Sequence, residues 1–364
     1  MRRSATQELL ASRASGRRRA QQSSNCAAHF ANDYGREVEF LLLADMGRSR
    51  PASCRLRPCI LRARPMPELP EVETVARGLQ KSIAGRRILS VRLGKTDFID
   101  DPAALEQHLP GRQIEAVERY GKFMLLRLSA RTNASGNSEN GDREAVSLLV
   151  HLGMTGQLAP CAAAQPSAKH THVWFGLDDG RELRYADPRR FGRIAYLTGA
   201  LLAEELTAFG ADPLLVSAEE FASRIRSRHA QIKALLLDQS VLRGVGNIYA
   251  DESLWRARIH PARRGAELSK KQAATLRKVL QDVLRKAILA RGSSISDFLD
   301  AEGQPGEYQR HHRAYGREGK RCYRCGRAIR RVIVAGRSSY FCPKCQPAPR
   351  SRKQRNRRRR VRNG

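Results

Sequence analysis

Between residues 69 and 83 the apolar side chains Val72, Val75, Ala76, Leu79 and Ile83 recur at intervals of three and four, which predicts an amphipathic helix. Pro70, Glu71 and Glu73 suit its first turn, where a missing N–H is tolerated and acids meet the positive end of the helix dipole, and Gly85 can close it. Strand-like stretches follow at Ile88–Leu93, 113–118, 122–128 and 146–152, then at 172–177 and 182–185, which the hairpin dipeptide Asp179-Gly180 joins. Residues 130–145 form a polar Asn, Ser and Gly loop. Beyond Tyr196 the pattern becomes helical, over 201–209, 218–228, 232–239, 248–257, 269–290 and 295–299. Strands first and helices second argue for an α+β multidomain chain, a β-sandwich or barrel with an N-terminal helix followed by a helical domain.

Charge adds a partner to that outline. The chain has 364 residues, room for two or three domains, and its 41% hydrophobic content is enough for buried cores. It carries 67 Lys and Arg against 36 Asp and Glu, a net charge of +31. Residues 1–65 contribute +8 from 13 Arg and 5 acids, and residues 346–364 contribute +9 without a single acid. The body, 66–345, keeps +14, which favours a polyanion and makes nucleic acid the first candidate. No stretch approaches the roughly 18–20 apolar residues of a membrane-spanning helix, and the best early run, 38–44, is far too short.

Four of the eight cysteines, Cys26, Cys54, Cys59 and Cys161, are scattered. The others form two Cys-x-x-Cys knuckles, Cys322/Cys325 and Cys342/Cys345, with 16 residues between them. Paired knuckles in a long basic chain offer four thiolates to one structural Zn2+; a redox dithiol would need one knuckle and a thioredoxin-like setting. With every position taken by Cys, no coordination site remains for an activated water.

The first 65 residues lack sustained periodicity and admit three readings: an organelle transit peptide, a basic arm for nucleic acid, or a segment outside the mature protein, with translation starting at Met66. Asp33, Glu37, Glu39 and Asp45 fit poorly with a transit peptide.

Five motifs now stand in one order: PELPEVET at 67–74, HLGMTG at 151–156, DPRRFG at 187–192, GVGNIYA at 244–250, and the paired knuckles. Together they resemble the bacterial formamidopyrimidine-DNA glycosylases over essentially all of 66–345. The resemblance implies a catalytic β-sandwich domain at 66–197, a helix-two-turns-helix DNA-binding domain at 198–303, and a lesion loop with a four-cysteine zinc-finger hairpin at 304–346. Residues 1–65 are then a disordered or non-native extension and 347–364 a disordered Arg-rich tail.

It also implies roles. Pro67 would be the amine nucleophile and Glu68 the general acid; Lys122 would contact the lesion-side phosphate and assist proton transfer in strand cleavage. Arg337, in the turn between Arg330–Val334 and 338–341, would hold the flanking phosphates and act in the second elimination. His170, Arg189, Lys233 and Asn247 would hold DNA, the Gly-rich turn before Asn247 serving as a phosphate cradle. His229, four residues before Lys233, replaces a common Lys or Arg and stays unassigned. Met154, Arg189 and Phe191 would fill the gap left by an extruded nucleotide. The implied protein is a monomeric, cytoplasmic bacterial enzyme on duplex DNA carrying oxidised purines or abasic sites, a glycosylase and AP lyase working through a proline Schiff base and β,δ-elimination. Pro67-Glu68-Leu69-Pro70-Glu71 favours it over the sister endonuclease for oxidised pyrimidines, whose start typically reads Pro-Glu-Gly-Pro-Glu.

Within the chain as written, the Pro67 nitrogen is a tertiary amide bonded to Met66 and has no usable lone pair. The active form is therefore expected to begin at Pro67; a chain retaining residues 1–66 would be a lesion-binding protein without catalysis.

Overall fold

The computed structural model describes residues 67–131, 144–294 and 298–349. The 1–65 extension, residues 350–364 of the tail, most of the 130–145 loop and most of the expected 295–299 helix lie outside them.

Helix α1 (Leu69–Ile83) opens the described chain and buries the predicted stripe Val72, Val75, Ala76, Leu79 and Ile83. Two four-stranded antiparallel sheets follow. One has the order β1 (Ile88–Leu93), β6 (Thr171–Leu177), β7 (Arg181–Ala186), β5 (Gln157–Ala162). The other has the order β2 (Ile114–Tyr120), β3 (Phe123–Leu128), β4 (Val146–His151), β8 (Arg193–Thr198). Val117, Met124, Leu148 and Ile194 of the second sheet share one core with Leu158, Val173, Phe175 and Tyr185 of the first, so the pair is a β-sandwich. Strands β3 and β4 are buried on both faces, because Phe123, Leu125 and Leu149 point outward under Leu202. Helix α3 (Gly199–Thr207), which carries Leu202, begins where β8 ends.

Three elements went unseen in the periodicity. Strand β5 contains Pro160 and pairs only with β7, as a Pro-bearing edge strand does. Strand β8 (Arg193–Thr198) lies just before the helical pattern that starts at 201, in a stretch where the pattern predicts no strand. Helix α2 (Pro102–His108) has only seven residues, too few to show a period, and is set by Pro102 and by Asp101, whose side chain accepts the Ala104 N–H at 3.0 Å.

The helical part adds α4 (Ala218–Arg226), α5 (Ile232–Leu237), α6 (Asn247–Ala257) and α7 (Lys270–Leu289) around a second core. Ser217 caps α4, and a Ser269/Gln272 capping box opens α7. Leu69 belongs to this second core although the rest of the α1 stripe faces the sandwich. In α6 every residue from Ile248 to Trp255 is buried, including Asp251, Glu252 and Ser253. A two-stranded hairpin, β9 (Arg330–Val334) and β10 (Arg337–Phe341), ends the described chain. Its turn is Ala335-Gly336, both at positive φ, so Arg337 is not a turn residue as expected but the first residue of β10, opposite Val334. No helix among the described residues is long and apolar enough to cross a membrane. Leu299 bridges to Pro305 instead of continuing a helix.

Candidate active site and nucleic-acid interface

The site is assembled at the start of α6. Glu68, the residue before α1, places its carboxylate against the helix opening and accepts N–H bonds from Ile248 at 2.9 Å and Tyr249 at 3.4 Å. A helix start is an anion site, and here the anion is the chain's own side chain. This corrects the expected phosphate cradle: Gly244-Val245-Gly246 is a seat for Glu68. A Cβ on Gly246 would overlap the Glu68 carboxyl, and one on Gly244, at φ +93°, would come within 2.9 Å of Leu69. The Gly244 carbonyl also accepts the Leu69 N–H at 3.0 Å, which ties the start of α1 to the helical half.

Lys122 arrives from the β2–β3 turn. Gly121 takes the left-handed conformation there, and its carbonyl lies 3.1 Å from where a Gly244 Cβ would stand, so the turn abuts the same loop. Glu68, Lys122 and Arg337 are electrostatic neighbours. Burial raises the proton affinity of Glu68, with Lys122, the two α6 amides and Arg337 pulling the other way. Burial lowers Lys122 to about 8 against the attraction of Glu68. Arg337 is lowered too, by desolvation, with Glu68 opposing. His151, buried near Lys122 with its ring 4.8 Å from that of Phe123 and tilted to it, is held neutral, down to about 3, mainly by burial and then by Lys122. The structure thus gathers Glu68, Lys122 and Arg337 from three distant segments, with Pro67 covalently attached to Glu68.

A second cluster lies on the loops 151–156 and 187–192. Phe191 is 57% exposed, Arg189 is exposed, and Met154 is half-buried beside them. The Arg189 guanidinium meets the Met154 sulfur at 3.6 Å and stands 5.8 Å from the Phe191 ring centre. A large aromatic held in water is the opposite of a core residue. Asp187, which sequence reasoning did not single out, fixes both loops: its carboxylate accepts from Thr155 Oγ1 at 2.6 Å and from the N–H groups of Arg189 and Gly192 at 3.2 and 3.0 Å. His170 is exposed at positive φ, and its carbonyl accepts the Asp187 N–H.

Lys233 is a correction. It is wholly buried, paired with Asp251 at 2.7 Å and donating to the Ser338 carbonyl at 2.7 Å, so its ammonium holds the hairpin to α6 and is not offered to a phosphate. The other oxygen of Asp251 takes the Tyr340 N–H, and Glu252 accepts three successive N–H groups, those of Arg313, Ala314 and Tyr315. Asn247 begins α6 with its side-chain Oδ1 buried and without a hydrogen-bond partner of ordinary geometry, beside the Tyr315 hydroxyl.

Cys322, Cys325, Cys342 and Cys345 place their sulfurs within 4.8 Å of one another, with Cys325 and Cys342 at 3.4 Å and Cys322 and Cys345 at 4.0 Å. A tetrahedral zinc with Zn–S bonds of about 2.3 Å needs sulfurs about 3.8 Å apart, which these distances bracket. Among the described residues this is the one cluster fit to hold a metal. It packs on Trp255 of α6, over which Arg324 stacks at 4.2 Å.

Comparison with known proteins places this geometry. Residues 66–194 match the model of the formamidopyrimidine-DNA glycosylase N-terminal domain, 209–299 that of the formamidopyrimidine-DNA glycosylase H2TH domain, and 319–348 that of the zinc finger found in FPG and IleRS. The chain is similar to the formamidopyrimidine-DNA glycosylase of Herpetosiphon aurantiacus, 43% identical over 286 residues that cover 77% of this chain and all of the relative. It is also similar to two solved structures of Lactococcus lactis Fpg, one in complex with Fapy-dG-containing DNA and one with DNA containing an abasic site. Each is 32% identical, with a TM-score of 0.68 over 77% of this chain and all of the other.

Proposed function

Because the chain belongs to the formamidopyrimidine-DNA glycosylase family, we propose that it excises oxidised purines such as 8-oxoguanine and formamidopyrimidines from duplex DNA and then cuts the abasic strand by β- and δ-elimination. The observation that carries this is the buried Glu68 carboxyl at the start of α6, one residue from Pro67 and beside Lys122 and Arg337.

The free secondary amine of Pro67 attacks the sugar C1′ of the flipped nucleotide as the C–N bond to the base breaks, and the proton that the amine sheds neutralises the departing base nitrogen. Glu68, kept protonated more readily than an exposed carboxyl, gives its proton to the ring oxygen as the sugar opens, leaving an iminium on Pro67. Lys122, lowered to about 8, exchanges a proton near neutrality and serves the elimination that follows, while Arg337 steadies the phosphate that leaves. Met154, Arg189 and Phe191 fill the vacated stack, and His170 and Asn247 hold the backbone. Zinc held by the four cysteines would have no open coordination position for the reaction and would instead brace the hairpin that carries Arg337. The functional division is 66–197, 198–303 and 304–346, acting as a monomer in a bacterial cytoplasm.

Because the chemistry requires an amine at Pro67, the Met66–Pro67 bond must be absent from the working protein. Borohydride trapping on an 8-oxoguanine duplex tests this. A chain beginning at Pro67 should give a covalent adduct, and the chain beginning at Met1 none. Binding without an adduct by the Pro67 chain would make the protein a silent lesion binder, and a faster reaction on an oxidised-pyrimidine duplex would reassign its substrate.

A further inference from the structure

Behind Glu68 lies a second buried carboxyl. Glu71 of α1 accepts the Glu68 N–H at 2.9 Å through one oxygen and, through the other, the Tyr249 hydroxyl at 2.5 Å and the Ser293 N–H at 2.7 Å. It is 2% exposed, and Gly292 presses on it so closely that a Cβ there would lie 2.7 Å from its Oε1. From Tyr249 a line of exchangeable groups continues outward: its hydroxyl is 3.4 Å from Ser293 Oγ, which is 3.1 Å from His312 Nε2. His312 is half-buried between the rings of Tyr308 and Tyr315 and forms the solvent end of the line.

We infer that Glu71 is a positioning residue for Glu68, and that it gains and loses its proton through the chain Tyr249, Ser293 and His312. In one passage His312 gives its Nε2 proton to Ser293 Oγ, Ser293 passes its own to the Tyr249 oxygen, and Tyr249 passes its own to Glu71 Oε1. Each hydroxyl ends with one hydrogen, His312 has lost one and Glu71 has gained one, and the three hydrogen bonds have reversed direction. The passage starts from the imidazolium, which solvent forms by protonating the other ring nitrogen, so that His312 is left as the neutral imidazole and not as an imidazolate.

The charge on Glu71 acts on Glu68 in two ways: directly, as a neighbouring carboxylate, and through the Glu68 N–H that it holds. The groups facing Glu71 are Glu68 at the chain start, Lys122 from the β2–β3 turn, Tyr249 from α6, and Ser293 and, behind it, His312 from the segment after α7. Burial and the charge of Glu68 lift Glu71 to about 7, against the hydrogen bonds of Tyr249 and Ser293, so its proton turns over near neutrality. Nothing in a linear reading connects Ser293 or His312 with the α1 carboxyl; the fold does, with Ser293 lying 222 residues from Glu71 in sequence.

The inference rests on the proposed function only for its consequence in excision, so its test has one readout without DNA. After a pH jump, the carboxylic-acid infrared band of Glu71, assigned by its absence in Glu71→Gln, reports protonation of that side chain. In Ser293→Ala and His312→Phe the band should form about tenfold more slowly than in the parent chain. Added imidazole should restore the rate in the His312 variant, and His312→Phe keeps the aromatic packing should Ser293→Ala fold poorly. The same variants should show single-turnover excision that falls most steeply above neutral pH, where protons are scarce. Unchanged band kinetics in both variants, or a loss that is uniform across pH and indifferent to imidazole, overturns the relay. A parent chain from Pro67 that fails to excise while the band kinetics respond as expected overturns the proposed function and leaves the relay standing.

Discussion

Gly246 owes its lack of a side chain to Glu68: a single methyl group on it would occupy the volume of the Glu68 carboxyl. Gly246→Ala must therefore displace the Glu68 carboxyl. Excision in Gly246→Ala should fall by about a hundredfold, close to the loss in Glu68→Gln, while the melting temperature of the variant tells displacement apart from unfolding. A variant that excises at the parent rate would show that Glu68 works from elsewhere.

Stability should decline as pH rises. The Glu71 proton affinity is raised from an ordinary 4.5 to about 7, so its favourable contribution is complete below 4.5 and is lost as pH climbs through 7. Between about pH 5 and 8 the melting temperature of the parent chain should drop. In Glu71→Gln, which keeps a neutral group of the same shape, that part of the drop should vanish. Equal slopes in the two proteins would refute the buried-carboxyl account.

Phe191 is exposed, so its removal should spare the fold. Phe191→Ala is expected to change the melting temperature by no more than about 2 °C. The extrusion of the lesion, followed by fluorescence of a base analogue opposite or beside it, should slow by about tenfold. Loss of stability instead of extrusion would make Phe191 a packing residue.

Lys233 distinguishes a structural ion pair from a phosphate contact. Lys233→Ala leaves Asp251 buried without its partner and should cost about 3–5 kcal/mol in denaturant unfolding. The double change Lys233→Met with Asp251→Leu should recover most of it. In that double variant the dependence of duplex affinity on salt should keep the parent slope; a slope shallower by about one ion would restore Lys233 to the DNA-binding set.

Elemental analysis should find one zinc per chain. Chelation, or Cys325→Ser, should lower the melting temperature and weaken duplex binding by about tenfold or more, because the Arg337 hairpin lies between the two knuckles that the metal would join. Excision at saturating enzyme should fall much less, and the reverse pattern would place the metal in the chemistry.

How much of this was legible in the chain differs by kind. Helix α1, the apolar strands β3 and β4 and the cysteine knuckles were readable because each is a local pattern with a local physical cause. Strand β5 was not, because Pro160 reads as a breaker and only the free edge of the sheet makes it tolerable. At the site, Glu68 and Lys122 could be pointed to, yet the identity of their counterpart could not. Gly244-Val245-Gly246 looks the same whether it cradles a phosphate or a carboxylate, and the choice is made by a side chain some 180 residues away. Lys233 went wrong for the same reason: nothing near it in sequence announces Asp251 or the Ser338 carbonyl. Asp187 and Ser293 act by accepting or relaying bonds between loops, a property of juxtaposition and not of residue type.

Leu69, the residue after Glu68, is sunk in the helical core while the rest of its helix lies on the sandwich. A cut near residue 198 would leave the sandwich fragment with an unsatisfied apolar side chain and the helical fragment with a hole of matching size. Two separately expressed halves should on that account be inactive alone and regain activity on mixing. The enzyme would then be a natural substrate for fragment complementation, with Leu69 as the key and the α6 core as its lock.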